Sequence, residues 1–116
     1  GLLGTKFTME QPFYKELLKK RGIEVVIPNE EDRQIVHNVI YNELCKGQVK
    51  ECSKEKYVEI IEKLKEDGAG GIILGCTEIP LLLEQKDTNV PLFDTTYIHA
   101  VAAAEFALKE DKLVTI

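Results

Sequence analysis

The stretch at residues 70–77, Gly-Gly-Ile-Ile-Leu-Gly-Cys-Thr, constrains the fold of this chain more than any other part of its sequence. Its apolar centre, residues 72–74, is flanked by glycine on both sides, as expected of a short buried strand. Cys76 and Thr77 follow at once, and a short helix is predicted over residues 78–83, with proline in its first turn. The chain therefore carries a single thiol to the end of a buried strand and then turns.

Helical and extended patterns alternate along the chain, which is typical of strands joined by crossover helices over a parallel sheet. The sequence predicts an α/β fold: an open, mainly parallel four-stranded sheet with helices on both faces, a Rossmann-like three-layer αβα arrangement. The four predicted strands are the opening residues and residues 23–27, 72–74 and 90–93. A length of 116 residues fits a single domain, residues 1–116.

The predicted helices are recognised by cap residues and by apolar side chains at helical spacing. Residues 5–8 are expected to form a polar turn before a helix over residues 11–20, which would bury Phe13, Leu17 and Leu18. Three further helices are expected to begin at cap residues, which are Asn29, Ser53 and, for the alanine-rich last helix, Asp94 or Thr95. The apolar residues of the helix after Ser53 recur at i, i+3, i+4 and i+7, which predicts one buried face: Tyr57, Ile60, Ile61 and Leu64.

Charge and composition exclude several classes of protein. The net charge is −5 at pH 7, so we expect no nucleic acid partner, because a phosphate backbone attracts basic surfaces. No apolar run approaches the roughly 20 residues of a membrane span, and no signal peptide is recognisable. We therefore expect a soluble, cytoplasmic protein without a membrane partner.

The three cysteines, Cys45, Cys52 and Cys76, are an odd number without the spacing of a disulfide framework, which favours reduced thiols. Neither a C-x-x-C pair nor a close histidine pair is available to hold zinc. The sequence therefore predicts no metal site.

Cys76 is the candidate catalytic residue, because ligands of open parallel sheets bind beyond the carboxyl ends of the strands. The start of the following helix would lower the pKa of the thiol toward neutrality, and a thiolate can remove a proton or attack carbon. Gly75 would give a substrate room, and Thr77 would offer a hydroxyl and a backbone N–H to a carboxylate. Against this, a cysteine ending a core strand is usually packed as a small apolar side chain, and position alone does not decide.

Two further segments are candidates for binding a carboxylate. Lys46 precedes Gly47 where a helix gives way to a loop, so its ammonium can reach over a ligand, although a lysine there also complements the helix dipole. Thr5 and Thr8 follow the first strand at the edge of the sheet that carries Cys76. Their hydroxyls can join the same pocket, or they can cap the next helix.

Residues 70–81, GGIILGCTEIPL, closely resemble the second cysteine motif of the aspartate/glutamate racemase family, in its aspartate racemase branch. The segments LLGTKFT, GIEVVIPNEED, IYNELCKG and VPLFDTTYIHA resemble other parts of that family's second domain. The resemblance covers nearly the whole chain. It implies the C-terminal domain of a two-domain aspartate racemase-like enzyme, with the N-terminal domain absent from this sequence.

The resemblance implies racemisation of an acidic amino acid, aspartate first, without pyridoxal phosphate, metal or any other cofactor. In such enzymes one thiolate removes the α-proton and a thiol on the opposite face returns one. By resemblance, Cys76 is the second of these cysteines, and Thr5, Lys46 and Thr77 contact substrate carboxylates. Glu78 stands where glutamate racemases usually carry histidine, which favours the aspartate branch.

The resemblance also implies partners: a dicarboxylic amino acid, the N-terminal domain with the opposing acid/base residue, and a second copy in a homodimer of the full-length enzyme. The chain is therefore expected to be inactive by itself. Two alternatives stay open. One is a related two-cysteine isomerase, racemase or decarboxylase acting on a hydantoin, maleate or an arylmalonate, and the other is a non-catalytic α/β domain that binds a carboxylate or a partner.

Overall fold

The computed structural model describes residues 1–95, which form an α/β fold around a three-stranded parallel sheet. The strands are β1 (Leu2–Leu3), β2 (Ile72–Leu74) and β3 (Leu92–Asp94), in the order β1-β2-β3. The helices are α1 (Lys6–Glu10), α2 (Pro12–Lys19), α3 (Glu30–Asn42) and α4 (Glu51–Glu66), and short 3-10 turns cover Leu44–Lys46, Ile79–Leu81 and Gln85–Asp87. The predicted α/β class with a parallel sheet is confirmed.

The central strand β2 pairs in parallel with both of its neighbours. The last residues of the three strands, Leu3, Leu74 and Asp94, stand side by side in the register. Because the strands run in one direction, their carboxyl ends meet at a single edge, which we call the C-terminal edge. The residues that follow the strands, including Thr5 and Cys76, are thereby brought to the same side of the sheet.

The core is built mainly by α3 and α4 against the sheet. The α4 residues with helical spacing are all buried, as predicted: Tyr57, Ile60, Ile61 and Leu64. The Tyr57 hydroxyl donates a hydrogen bond to the Val36 carbonyl at 2.7 Å. This bond ties α4 to α3 through a group that burial would otherwise leave without a partner.

The two long helices begin differently with respect to their predicted caps. The Asn29 side chain accepts the Asp32 N–H at 2.9 Å, so α3 is capped as predicted. The predicted cap of α4, Ser53, is wrong, because α4 begins at Glu51 and Ser53 lies buried in its first turn. Its hydroxyl donates to the Glu43 carboxylate at 2.5 Å, a partner distant enough in sequence to escape a local pattern.

Residues 23–27 do not form the predicted strand, so the sheet of the described residues has three strands instead of four. A backbone hydrogen bond from the Leu2 N–H to the Val26 carbonyl, at 3.0 Å, sets the segment beside β1. Ile23 is 47% exposed, so the segment is not buried on both faces.

The α2 helix exposes the apolar side that the sequence predicts to be buried. Within residues 1–95 no residue of α2 is buried, and Phe13 and Leu17 are 72% and 50% exposed. Leu17 and Leu18 line an open groove of about 1090 Å³ that Ile73 and Phe93 of the sheet border from the other side. An amphipathic pattern predicts an apolar face correctly, but it does not specify what covers that face.

None of the helices among residues 1–95 combines the length and the apolar character that a bilayer crossing requires. The predicted alanine-rich last helix lies outside the described residues.

Candidate active site

Cys76 lies at the C-terminal edge of the sheet, two residues beyond β2, as the sequence predicts. The preceding residue continues the parallel pairing, since the Gly75 N–H donates to the Leu3 carbonyl at 2.7 Å. The Cys76 side chain packs against the core on one side and is partly exposed on the other. A small molecule can therefore reach the sulfur atom, which a sealed core position would prevent.

The thiol belongs to a cluster of three consecutive residues, Cys76, Thr77 and Glu78. The Cys76 thiol donates to Glu78 Oε2 at 2.8 Å, and the Thr77 hydroxyl donates to the same oxygen at 2.9 Å. The turn after β2 thus gathers a thiol, a hydroxyl and a carboxylate around one atom. We call this group the Cys76–Glu78 cluster.

The pKa of the Cys76 thiol is raised, to about 11, by burial first, and further by its hydrogen bond to Glu78 and the negative charge of that carboxylate. The backbone N–H of Glu78 opposes these effects, but it does not outweigh them. The predicted lowering toward neutrality is wrong, because only a 3-10 turn, Ile79–Leu81, forms where a helix over residues 78–83 is expected. So short a turn aligns too few peptide dipoles at the sulfur.

The same hydrogen bonds act in the opposite sense on the carboxylate. Donation from Cys76, followed by donation from Thr77, lowers the pKa of Glu78. At neutral pH the proton therefore stays on the sulfur atom and the negative charge stays on the carboxylate.

The Leu44–Lys46 turn lies near the thiol. The charge of the Cys45 side chain is among the causes that raise the pKa of Cys76, an effect that needs proximity. From α4, Tyr57 is also close, since burial and then the charge of Cys76 raise the pKa of Tyr57. Lys46 is exposed in this turn. The structure thus brings the turn that carries Lys46 to the neighbourhood of Cys76, although the role of Lys46 stays a prediction.

Gly47 closes this turn in the left-handed conformation, with φ of 77°, and donates its N–H to the Leu44 carbonyl at 3.0 Å. We expect Gly47→Ala to lower the free energy of unfolding by about 1 kcal/mol, because residues with a Cβ are strained at this φ. No atom of the described chain lies within 4 Å of the added Cβ, so the cost is backbone strain alone. Urea denaturation measures the loss.

Gly70→Ala is the matched control, because its Cβ also meets open space within the described residues while its φ is not positive. It should leave stability unchanged or slightly increased. An equal loss in both variants would contradict the strain at Gly47.

Thr5 caps α1, a helix that begins where the sequence predicts only a polar turn. Its Oγ1 accepts the Thr8 N–H at 3.3 Å and lies 3.2 Å from the Thr8 hydroxyl. The capping role that the sequence leaves open as an alternative is therefore present, while a substrate contact by Thr5 stays a prediction.

Gly75 makes room for neighbouring protein atoms, although the sequence predicts room for a substrate. A Cβ at this position would lie 3.1 Å from the Leu3 carbonyl oxygen and 3.3 Å from Thr8 Cγ2. The glycine thus lets β1 and α1 pack closely against the strand that carries Cys76.

Two side chains at this edge form hydrogen bonds that the sequence did not predict. Glu78 served only to distinguish family branches, although its position two residues after Cys76 in a turn lets the side chains meet. Thr95, expected as a helix cap, donates its hydroxyl to the Leu74 carbonyl at 2.9 Å. No signal in the sequence indicates that bond, because Leu74 ends β2 while Thr95 follows β3, and the register of these strands is a tertiary property.

A partly exposed thiol at the C-terminal edge of a parallel sheet defines a candidate cysteine-containing active site in an α/β enzyme fold. Residues 1–103 match the family model described as Asp/Glu/Hydantoin racemase, and the chain belongs to this family. The family resemblance read from the motifs is confirmed. The Cys76–Glu78 cluster lies within the matched residues.

Two solved structures resemble this chain over most of its length. One, of a candidate Asp/Glu racemase from Yersinia pestis, is 54% identical with a TM-score of 0.88 and covers 93% of this chain and 47% of that chain. Another, of an aspartate racemase homologue from Pyrococcus horikoshii OT3, is 45% identical with a TM-score of 0.86, over 91% of this chain and 46% of that chain.

A glutamate racemase from Actinobacillus pleuropneumoniae serotype 3 (strain JL03) is 28% identical over 92 residues, which are 78% of this chain and 33% of the relative. The chain thus spans about half the length of the solved structures and a third of this glutamate racemase.

Proposed function

We propose that this chain is part of an enzyme that racemises an acidic amino acid, with aspartate as the first candidate substrate, and that Cys76 is one of its two acid/base groups. The observation that carries the proposal is a reachable thiol at the C-terminal edge of the sheet in a chain of the Asp/Glu/hydantoin racemase family. Similarity to an aspartate racemase homologue and to a glutamate racemase supports an acidic substrate.

Inversion at the α-carbon needs a base on one face and an acid on the other. The base takes the α-proton, and the electron pair of the broken C–H bond stays on the substrate, delocalised toward its carboxylate. The acid then gives its proton to the opposite face. A thiol with a pKa of about 11 is protonated at neutral pH, so Cys76 suits the acid role in one direction and, as the thiolate left behind, the base role in the other.

Substrate carboxylates are proposed to bind at Lys46 and Thr77. The Thr77 side chain is exposed beside the thiol, and Lys46 supplies a cation from the adjacent Leu44–Lys46 turn. Thr5 is a weaker contributor, because its hydroxyl already caps α1. In this mechanism side chains transfer the protons, and neither pyridoxal phosphate nor a metal ion takes part.

We assign the second acid/base group to a part of the enzyme outside residues 1–95, because Cys45 and Cys52 lack the motif context of Cys76. The longer relatives contain about as much chain again as is matched here. Residues 1–116 by themselves are accordingly proposed to be inactive, and the complete enzyme is proposed to act as a homodimer.

Exchange of the substrate α-hydrogen in deuterated water, followed by NMR, tests this function. The protein assayed is the complete translation product of the gene, with residues 1–116 alone for comparison. We expect the product to exchange the aspartate α-hydrogen and to form the other enantiomer, and the shorter chain to show little of either. No turnover of aspartate or glutamate would contradict the proposal.

A 5-substituted hydantoin is the second candidate substrate, because the matched family includes hydantoin racemases. If the hydantoin exchanges its hydrogen and neither aspartate nor glutamate does, the two-group mechanism stands and the substrate is a hydantoin.

A further inference from the structure

We infer that Glu78 is a positioning residue that holds the proton on Cys76, so that Cys76 is the acid of the resting site and the opposing group is its base. The catalytic part of this inference rests on the proposed racemase function. The action of Glu78 on the thiol does not, because it can be measured without any substrate.

The geometry of the Cys76–Glu78 cluster carries the inference. The sulfur atom and Glu78 Oε2 are 2.8 Å apart, and this oxygen also accepts the Thr77 hydroxyl at 2.9 Å. Two donors on one carboxylate oxygen stabilise the ionised carboxylate. An ionised carboxylate beside a thiol in turn disfavours the thiolate by repulsion, whereas an activated thiolate has cations or helix N-termini as neighbours. Both effects keep the proton on the sulfur atom.

The other groups around the thiol do not reverse this preference. Cys45, from the Leu44–Lys46 turn, raises the pKa of Cys76 further. Tyr57, from α4, stays uncharged because burial raises its own pKa. The opposing contribution comes from the backbone N–H of Glu78, and the cation of this turn, Lys46, has an exposed side chain.

A resting thiol makes the site asymmetric toward the two enantiomers. The resting enzyme can act at once on the enantiomer whose α-hydrogen points away from Cys76. The opposing base takes that proton, the S–H bond breaks, and the thiol proton forms the new C–H bond, which leaves a thiolate at Cys76. The other enantiomer requires the thiolate at Cys76 and the proton on the opposing group. That form differs from the resting form only in the place of the proton, so kcat/KM for both enantiomers should fall with pH once Cys76 loses its proton.

The thiol is tested in a background with Cys45→Ser and Cys52→Ser, two exposed positions whose replacement leaves Cys76 as the single thiol of the chain. Alkylation by iodoacetamide is followed by mass spectrometry from pH 7 to 10.5. In the parent the rate should rise about tenfold per pH unit through pH 10, because only the thiolate reacts. Glu78→Gln should lower the midpoint by at least about 1 pH unit.

Glu55→Gln is the matched control, since it removes an equal charge from an exposed position on α4 and should leave the profile unchanged. Thr77→Val separates charge from packing, because it leaves the carboxylate beside the sulfur atom and should keep the midpoint at or above that of the parent. Circular dichroism confirms that each variant is folded. Superimposable profiles for Glu78→Gln and the parent, or a lowered midpoint in Thr77→Val as well, would overturn the inference.

The catalytic part is tested in the complete translation product by the pH profile of kcat/KM, which is the same for both enantiomers because they are equally stable. Glu78→Gln should move the alkaline limb of this profile to lower pH by about as much as it lowers the midpoint of alkylation, and an unchanged alkaline limb would overturn the acid assignment. If the midpoint of the thiol shifts as expected and no variant racemises any substrate, the proposed function fails and the action of Glu78 on Cys76 stands. Racemisation with an unshifted thiol would overturn this inference alone.

Discussion

Cys76→Ser should slow racemisation of aspartate by the complete translation product about 10³-fold, within the range that removal of a general acid/base usually costs. Serine keeps the shape of the side chain and can still donate to Glu78. Its hydroxyl, however, ionises far less readily than a thiol, so it cannot take the α-proton in one direction or replace the thiol in the other. Deuterium incorporation and chiral chromatography measure both consequences.

Cys52→Ser is the matched control for this variant, because Cys52 is an exposed thiol at the start of α4 and lies outside the proposed site. Its activity should equal that of the parent. Racemisation that survives in a folded Cys76→Ser variant would refute the role of the thiol and, with it, the two-group mechanism. Loss of activity in Cys52→Ser as well would show that the substitution acts through stability.

Tyr57→Ala should lower the free energy of unfolding by about 3–5 kcal/mol, the cost of removing a large buried aromatic side chain. The ring is fully buried between α3 and α4, and its hydroxyl donates to the Val36 carbonyl at 2.7 Å. The variant loses this packing together with the hydrogen bond between the two helices. Tyr57→Phe keeps the ring and should cost about 1 kcal/mol, which isolates the hydrogen bond. Urea denaturation of the chain measures both.

Tyr41→Ala is the control, because it removes the same side chain from a position that is 53% exposed and contacts the His37 ring at a centroid distance of 4.7 Å. It should cost much less than Tyr57→Ala. Equal losses at the two tyrosines would contradict the assignment of Tyr57 to the core. Because Tyr57 lies near Cys76, a loosened core at this position should also disturb the C-terminal edge.

The elements that sequence predicted correctly are those whose signal is local. The cap at Asn29 and the spacing of Tyr57, Ile60, Ile61 and Leu64 predict α3 and α4, because backbone capping and one-sided burial act within a few turns of a helix. The apolar run at residues 72–74, closed by glycine and cysteine, predicts β2 and the position of Cys76 at its end. The family could also be read from the sequence, because its motifs are continuous in the chain.

What the sequence left undecided depends on groups that lie far apart along the chain. Residues 23–27 have strand-like side chains, but in the fold they meet β1 through the backbone hydrogen bond from Leu2 to Val26 without forming a strand. The apolar face of α2 could be predicted and its exposure could not, since exposure depends on what packs against it.

The protonation state of the candidate site could also be derived only from the tertiary structure. The sequence alone determined that a thiol stands at the end of a buried strand, followed by a threonine and a glutamate. The fold decided how deeply that thiol is buried, that a 3-10 turn replaces the expected helix, and that Glu78 reaches the sulfur atom. Protonation follows from solvation and from charges in space, which is why residue order predicted a thiolate and the three-dimensional arrangement gives a thiol.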